Sequence, residues 1–223
     1  MSAAESKLKA ASKAHTVYKT EDGTRVPGVT TITGLLNKPA MIHAAWELGM
    51  KGVNYREYWD ALANVGTVAH RMILEDLRGG KVDKSFLSSY SADVITLSEN
   101  SFASYLAWKA ANKIEPVFFE TALVSELFRY GGTADLLGYV NDKLTLVDFK
   151  TGGIYPEHFI QLAGYSALVN EKRPALGLIE KYILLGIPRK AGETFEVKTK
   201  DSLVAEWDVF QNLLQAYRRM KEF

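Results

Sequence analysis

The feature that most constrains this chain is a pair of strand-like runs separated by a polar break. The runs contain aromatic, β-branched and aliphatic residues, and Asn141-Asp142-Lys143 lies between them. This pattern predicts a β-hairpin over about residues 130–150. Side chains alternate between the faces of a strand, so Asp148 and Lys150 should share one face while Phe149 points to the other. Asp135, on the first strand, is expected on the face of Asp148.

The rest of the chain predicts a helical first half and a later sheet. At 223 residues, with 47% hydrophobic and 24% charged residues, it is long enough for one α/β domain with a substantial core. The predicted helices cover 30–36, 41–50, 55–79 in two pieces, 91–112, a segment around Gln161, and 201–221. The predicted strands cover 15–20, 24–26, 117–128, 130–140, 144–150, 179–187 and an edge at 194–198. We therefore expect a mixed central β-sheet flanked by helices.

Several classes of site and location are excluded or disfavoured by composition. The chain has no cysteine, so it forms no disulfide, zinc–thiolate site or cysteine-ligated iron–sulfur cluster. No apolar run approaches the roughly 18 residues of a membrane span, and residues 1–14 lack the apolar centre of a signal peptide. We expect residues 1–14 to be disordered or a frayed helix, and the protein to be cytoplasmic.

The acids and the lysine of the hairpin point to phosphodiester chemistry. Hydrolysis of a phosphodiester needs an activated water and a counter-charge for the phosphate, and carboxylate-bound Mg²⁺ supplies both. Asp135 and Asp148 are the candidate metal ligands, and the Phe149 backbone carbonyl adds a further oxygen if the strand edge is open. Lys150, on the same face, could polarise the water or stabilise the transition state.

Two predicted helices present further candidates. Residues 64–77 carry an apolar stripe, with Asn64 as a candidate N-cap, and the same helix presents His70. Gln161 and Tyr165 are four residues apart on a helix and share a face. Each of these residues also has an ordinary structural interpretation: a helical histidine is more often structural, and Tyr165 fits a half-buried core position.

Four short motifs follow one another in this chain: Gly66-Thr67-Val68-Ala69-His70, Gly132-Thr133-Ala134-Asp135, Asp148-Phe149-Lys150-Thr151, and Gln161-Leu162-Ala163-Gly164-Tyr165. Their order resembles the GxxxH, GxxD, DxK and QxxxY motifs of the RecB-type branch of the PD-(D/E)xK nucleases. The resemblance runs from about residue 26 to residue 170. In Val26-Pro27-Gly28-Val29-Thr30 it is closest to phage-type and mitochondrial genome maintenance exonucleases, and it is compatible with a phage-encoded protein in a bacterial host.

The resemblance implies a restriction-endonuclease-like core and a role for each motif. It implies that His70 contacts the metal, that Gln161 orients catalytic groups or the phosphate, and that Tyr165 contacts DNA or supports Lys150. Relatives place another acid on the preceding strand, where Glu120 is preferred over Glu126. Within the single domain of residues 1–223, residues 28–113 would form a helical cover, 114–190 the catalytic core, and 191–223 an edge strand and helix.

Further residues are candidates for substrate contacts. Thr151 and Arg71 are among the substrate-binding candidates. The net charge of +1 is not the basic balance of most DNA-binding proteins, so a local groove would have to supply the cations. The candidate groove residues are Lys38, Lys51, Arg56, Arg71, Lys172, Arg173, Arg189 and Lys190. Trp46, Tyr55, Tyr58 and Trp59 could stack unpaired bases or pack in the core.

The favoured hypothesis is a Mg²⁺-dependent DNA exonuclease, with Mn²⁺ able to substitute, that works from a free end in recombination, repair or phage replication. Its partners would be DNA, single-stranded or with free ends, and a recombinase or single-strand-binding protein. A structure-specific endonuclease is the nearest alternative. A catalytically silent DNA-binding accessory protein is another, and a purely structural interaction domain would leave the clustered acids unexplained.

Overall fold

The computed structural model describes residues 16–36, 38–190 and 193–222. Its helices are α1 Val29–Thr33, α2 Pro39–Met50, α3 Tyr55–Leu77, α4 Lys84–Leu87, α5 Ala92–Ala110, α6 Pro156–Lys172 and α7 Val204–Arg219, with a 3-10 turn at Pro174–Leu176. Its strands are β1 Tyr18–Lys19, β2 Arg25–Val26, β3 Ile114–Ser125, β4 Tyr130–Val140, β5 Lys143–Thr151, β6 Lys181–Ile187 and β7 Glu196–Lys200. The predictions for residues 1–14 and for His15 lie outside the described residues.

The centre of the molecule is a five-stranded sheet in the order β3-β4-β5-β6-β7. The β5–β6 pair is parallel and the other neighbours are antiparallel. The crossover from β5 to β6 contains α6, as a parallel connection requires. The predicted mixed sheet flanked by helices is therefore confirmed.

Each face of the sheet has its own core. Leu144 and Leu146 of β5 belong to a cluster that includes residues of α6 and α7, among them the fully buried Phe210. Val147 and Phe149 belong to a second cluster, which includes Tyr105 of α5 and Ile73 of α3. Because strand side chains alternate, β5 is covered by helices on both faces, and its carboxyl end emerges between α3 and α6.

The long helix α3 corrects one prediction. Residues 55–79 were expected in two pieces, with a cap at Asn64, but Tyr55–Leu77 is one continuous helix. The cap lies at Asn54, whose side chain accepts a hydrogen bond from the Arg56 backbone N–H. Gly66, in the interior of α3, does not break the helix.

Two smaller differences concern the strands and a short helix. The strand expected over residues 117–128 spans Ile114–Ser125 instead, and Glu171 closes the turn that follows by accepting hydrogen bonds from the Glu126 and Leu127 backbone N–H groups. The four-residue helix α4 was not predicted. In the described ranges, no helix combines the length and apolarity needed to cross a membrane.

Helix α2 packs differently from the rest of the chain. None of its residues is buried, and Met41, Ile42, Trp46 and Met50 are exposed. Its position is set mainly by α3, which follows it. Such an exposed apolar surface is uncommon on a protein that has no ligand or partner to cover it.

Candidate active site

The site forms where the β4–β5 ladder ends. The last pair of that ladder is Leu136 opposite Val147, whereas β5 continues to pair with β6 as far as Thr151. Beyond the last pair, Asp135 Oδ2 accepts a hydrogen bond of 2.9 Å from the Phe149 backbone N–H. A side chain therefore takes the place of the ladder and holds the Asp135 carboxylate beside the end of β5.

Helix α3 brings His70 to the same place. A Cβ on Gly66 would lie 3.1 Å from Thr151 Oγ1, so the glycine allows α3 to approach the end of β5 closely. One helical turn later, His70 Nε2 lies 3.0 Å from the Phe149 carbonyl oxygen, and Nδ1 lies 3.6 Å from Asp135 Oδ1. The spacing of the GxxxH motif thus has a packing explanation in this fold.

Lys150 connects the second carboxylate to helix α6. Its Nζ lies 2.6 Å from Asp148 Oδ2 and donates a hydrogen bond of 3.1 Å to Gln161 Oε1. Gln161 Nε2 in turn donates a hydrogen bond of 2.7 Å to Tyr165 Oη. As the alternation predicts, Asp148 and Lys150 share a face and Phe149 points into the opposite core. The result is a continuous polar chain from Asp148 to Tyr165.

Gly132 makes room for the end of this chain. A Cβ at Gly132 would lie 2.7 Å from Tyr165 Cε1 and 2.9 Å from a methyl of Val29, which is closer than van der Waals contact allows. The phenol is buried, with 5% of its surface exposed. Tyr165 therefore supports Gln161 from beneath and does not present itself at the surface.

The pKa values of the Asp148 and Asp135 carboxyl groups shift in opposite directions. Burial raises the pKa of Asp148 to about 6, against the effect of Lys150 and with a contribution from the Asp135 charge. Burial also acts to raise the pKa of Asp135, but His70 and Lys150 hold it below its usual value. Burial lowers the pKa of His70, yet the Asp135 charge outweighs this, and the net shift is upward. Asp135, Asp148 and His70 therefore titrate as one interacting set.

Glu120 adds a third acid. Its backbone has a φ of +40°, a left-handed conformation that is uncommon for residues other than glycine. Burial raises the pKa of its carboxyl, and the charge of Asp135 adds to the shift. The alternative acid, Glu126, lies in the turn after β3, where its carboxylate accepts a hydrogen bond from the Glu21 backbone N–H. Of the two, Glu120 is the one beside His70 and Asp135.

An open cleft of about 1290 Å³ leads to this place. The predicted residues that line it are Lys38, Trp59, His70, Glu120, Phe149, Lys150, Thr151 and Arg189. Asp135 lines a small adjoining pocket together with His70, Glu120 and Phe149. Asp148 is buried, with 3% of its side chain exposed. The cleft thus reaches Lys150 and the Phe149 carbonyl directly.

Other predicted substrate contacts lie elsewhere. In the described part of the chain, the cleft lining does not include Trp46, Lys51, Tyr55, Arg56, Tyr58, Arg71, Lys172, Arg173 or Lys190. Arg71, for example, pairs with Glu75 at 2.9 Å on its own helix. Conversely, His158 and Tyr155 line the cleft although the sequence interpretation assigned them no role. The signal available for His158 was its place in the first turn of the helix that carries Gln161.

The donor set suits a hard divalent cation. The set comprises two carboxylates, the Phe149 carbonyl and one imidazole. Most of these donor atoms are oxygens, which Mg²⁺ and Mn²⁺ prefer. Asp148 Oδ2 is buried and makes no hydrogen bond, because the approach of Lys150 Nζ is short but outside hydrogen-bond geometry. Among the described residues, no three His, Cys, Asp or Glu side chains are grouped as ligands of one ion. A cation bound by these groups would replace the contact of Asp135 with His70 and that of Asp148 with Lys150.

Known proteins resemble this chain only distantly. No protein-family model matches the sequence, and no curated protein matches it significantly. The chain is similar to the crystal structure of an alkaline exonuclease (LHK-Exo) from Laribacter hongkongensis, with 14% identity and a TM-score of 0.36 over 71% of this chain and 85% of that one. The complex of LHK-Exo with dAMP gives 14% identity and a TM-score of 0.35 over 72% and 86%.

Proposed function

We propose that this protein is a metal-dependent DNA nuclease of the RecB-type PD-(D/E)xK branch, acting as an exonuclease. The observation that carries the proposal is the convergence of Asp135, Asp148, Lys150 and His70 at the inner end of an open cleft. A structural role alone gives no reason to bury two carboxylates beside one another, since each raises the cost of charging the other.

Asp135, Asp148, the Phe149 carbonyl and His70 would hold a Mg²⁺ ion, and Mn²⁺ would substitute because imidazole is acceptable to it. When bound, the ion would lower the pKa of a water molecule and offset negative charge on the phosphate. Glu120, beside His70, would add a further carboxylate to the ligand set or to the water network.

Among the protein side chains, we assign to Lys150 the roles of orienting the attacking water and offsetting negative charge on the phosphate. Its ammonium lines the cleft, so it can donate hydrogen bonds to a phosphate oxygen or orient a water molecule next to it. Gln161 Oε1 accepts a hydrogen bond from Lys150 Nζ and fixes its direction, and the hydroxyl of buried Tyr165 accepts a hydrogen bond from Gln161 Nε2. Gln161 and Tyr165 therefore act as positioning residues in this proposal.

The finer points rest on the resemblance in the motifs. They are digestion from a free end, a place in recombination, repair or phage replication, and cooperation with a recombinase or a single-strand-binding protein. A structure-specific endonuclease uses the same chemistry, and a substrate without ends separates the two activities.

The test is degradation of end-labelled linear DNA, single-stranded and duplex, with Mg²⁺, with Mn²⁺ and with EDTA. Wild type is compared with Asp148→Ala, Lys150→Ala and the control Lys143→Ala, which removes an exposed lysine at the other end of the same strand. We expect metal-dependent digestion by wild type and the control, and a loss of at least about 100-fold in the other two variants.

Closed circular DNA serves as the substrate without ends. Digestion of circles as fast as linear DNA would replace the exonuclease with an endonuclease. If no metal supports digestion of any substrate while DNA binding persists, the proposal fails in favour of a DNA-binding accessory protein.

A further inference from the structure

The cleft lining differs in chemistry between its two sides. Helices α2 and α3 contribute one side, where the apolar residues Met41, Ala44, Trp59, Leu62 and Ala63 are followed along α3 by the polar Asn64, Thr67 and His70. The end of β5, the loop after it, the start of α6 and the segment after β6 contribute the other side, which contains Lys150, Arg189 and one carboxylate, Glu157, 3.6 Å from Lys38. A ligand that fills this cleft meets the apolar residues on one side and Lys150 and Arg189 on the other.

Arg189 is held in place on the cationic side. Its guanidinium packs against the backbone of Gly152, where a Cβ would lie 3.0 Å from Nη2, and Gly152 has a φ of +101°. Glu193 lies 3.4 Å from Nη2, whereas the buried Nε has no hydrogen-bond partner. Because Gly152 follows Lys150 by two residues, Arg189 extends the cationic side beyond the candidate active site.

His158 adds a neutral donor or acceptor to this side. Its Nδ1 accepts a hydrogen bond of 3.1 Å from the Tyr155 backbone N–H, so Nε2 carries the proton of the neutral ring. An N–H donor beside Lys150 is suited to a phosphate oxygen. The cationic side therefore offers several donors for a phosphate backbone.

A duplex does not match such a lining. In a base-paired helix the flat faces of the bases are stacked inside, and the outside presents phosphates and base edges. An unpaired strand presents phosphates along one side and base faces along the other, and bases stack on aromatic side chains. The two chemistries of the cleft correspond to the two sides of a single strand.

We propose that the cleft binds an unpaired nucleic-acid strand, with its bases against Trp59 and Met41 and its phosphates toward Lys150 and Arg189. This inference rests on the proposed function and deepens it, since it names the class of substrate. It also gives Trp59 the base-stacking role among the aromatic residues of α2 and α3, because Trp46, Tyr55 and Tyr58 are outside the lining.

The test measures binding without cleavage, in EDTA, by fluorescence anisotropy. The probes are a fluorescein-labelled single-stranded DNA of mixed sequence, the same strand as a blunt duplex, and the same strand with several abasic sites. We expect wild type to bind the single strand about tenfold or more tightly than the duplex. It should bind the abasic strand about tenfold less tightly than the intact one, since abasic sites keep the phosphates but remove the stacking faces.

Variants assign this preference to residues. Trp59→Ala should weaken binding of the intact strand by about tenfold and abolish the discrimination against abasic sites, while Trp59→Phe should retain most of both. Trp46→Ala is the control, since it removes an exposed tryptophan of α2 that does not line the cleft. Arg189→Gln should lower the salt dependence of binding by about one phosphate contact.

Equal affinity for single strand and duplex, or equal affinity for intact and abasic strands, would overturn the inference whether or not any variant folds poorly. Digestion assays with Mg²⁺ are scored separately. A protein that binds as expected but digests nothing supports this inference and refutes the nuclease. A protein that digests DNA but binds intact and abasic strands equally supports the nuclease and refutes this inference.

Discussion

The two sides of the cleft are built in different ways. On the side of β5 and α6, three candidate groups are held by hydrogen bonds: Asp135 by the Phe149 backbone N–H, Lys150 by Gln161, and Gln161 by Tyr165. On the other side, α2 has no buried residue at all. The side of β5 and α6 is fixed by the core, whereas α2 presents apolar surface that the core does not use.

This difference separates chemistry from substrate contact. Groups that must keep their relative positions benefit from rigid strands and a buried support, since small displacements are costly in rate. A surface that only stacks or covers a strand does not need such support. We therefore expect substitutions near β5 and α6 to change both stability and activity, and substitutions on α2 to leave the free energy of unfolding almost unchanged.

The sharpest test is the same substitution on both sides. Gly132→Ala would bring a methyl group within 2.7 Å of Tyr165, and the resulting overpacking should lower the free energy of unfolding by about 1–3 kcal/mol. Gly49→Ala, in α2, meets nothing within 4 Å and should raise stability by up to about 1 kcal/mol through helix propensity. Urea unfolding of both variants measures the two signs, and a loss of the same size in both would break the comparison.

The second test removes the bridge between Lys150 and Tyr165. Gln161→Leu keeps the volume but leaves the Tyr165 hydroxyl buried without its partner, which should cost about 1–2 kcal/mol. In a DNA degradation assay we expect kcat to fall about tenfold with little change in KM, because Lys150 loses its orientation. Gln215→Leu, at an exposed position of α7, is the control. Unchanged kcat alongside reduced stability would show that Gln161 is structural only.

Sequence alone predicted those parts of the site that depend on local periodicity. The alternation of Asp148, Phe149 and Lys150 and the spacing of Gln161 and Tyr165 both follow from the geometry of a single element. The mixed sheet followed from the order of strands and helices.

Contacts between distant segments could not be predicted in this way. The hydrogen bond from the Phe149 backbone N–H to Asp135 forms because the β4–β5 ladder ends before these residues. The end of the ladder is set by the register between the two strands, which the sequence of either strand alone does not specify. The close approach of Gly66 to Thr151 likewise joins two segments that are far apart in sequence. Arg71 is a different case, since Glu75 four residues later already offered it a local ion pair.

The third test uses pH. Burial, with Lys150 and two other lysines nearby, lowers the pKa of His158 to about 3. Below about pH 6.5 the His158 ring is therefore protonated in the unfolded chain but stays neutral in the folded protein. The contribution of neutral His158 to the free energy of unfolding is complete above pH 6.5 and is lost as pH falls toward 3. His158→Gln keeps a side chain able to accept from the Tyr155 backbone N–H but does not titrate.

We expect wild type and His158→Gln to be about equally stable at pH 7, and wild type to be about 1 kcal/mol less stable near pH 5 relative to the variant. Asp148 contributes the opposite slope below about pH 6, because its folded pKa is raised, but it does so in both proteins and cancels in the difference. Parallel stability curves from pH 7 to pH 5 would show that the ring is not held neutral.

The smallest change in the free energy of unfolding is expected for a substitution on α2. It checks directly whether this helix contacts substrate without supporting the core. Ile42 is 67% exposed, so Ile42→Ser should change the free energy of unfolding by less than about 0.5 kcal/mol. The matched substitution Ile183→Ser, at a position of β6 with 4% exposure, removes a side chain from the core and buries a hydroxyl, and should cost several times more. If Ile42→Ser also cost several kcal/mol, α2 would be part of the core's support, and its exposed surface would need no ligand to explain it.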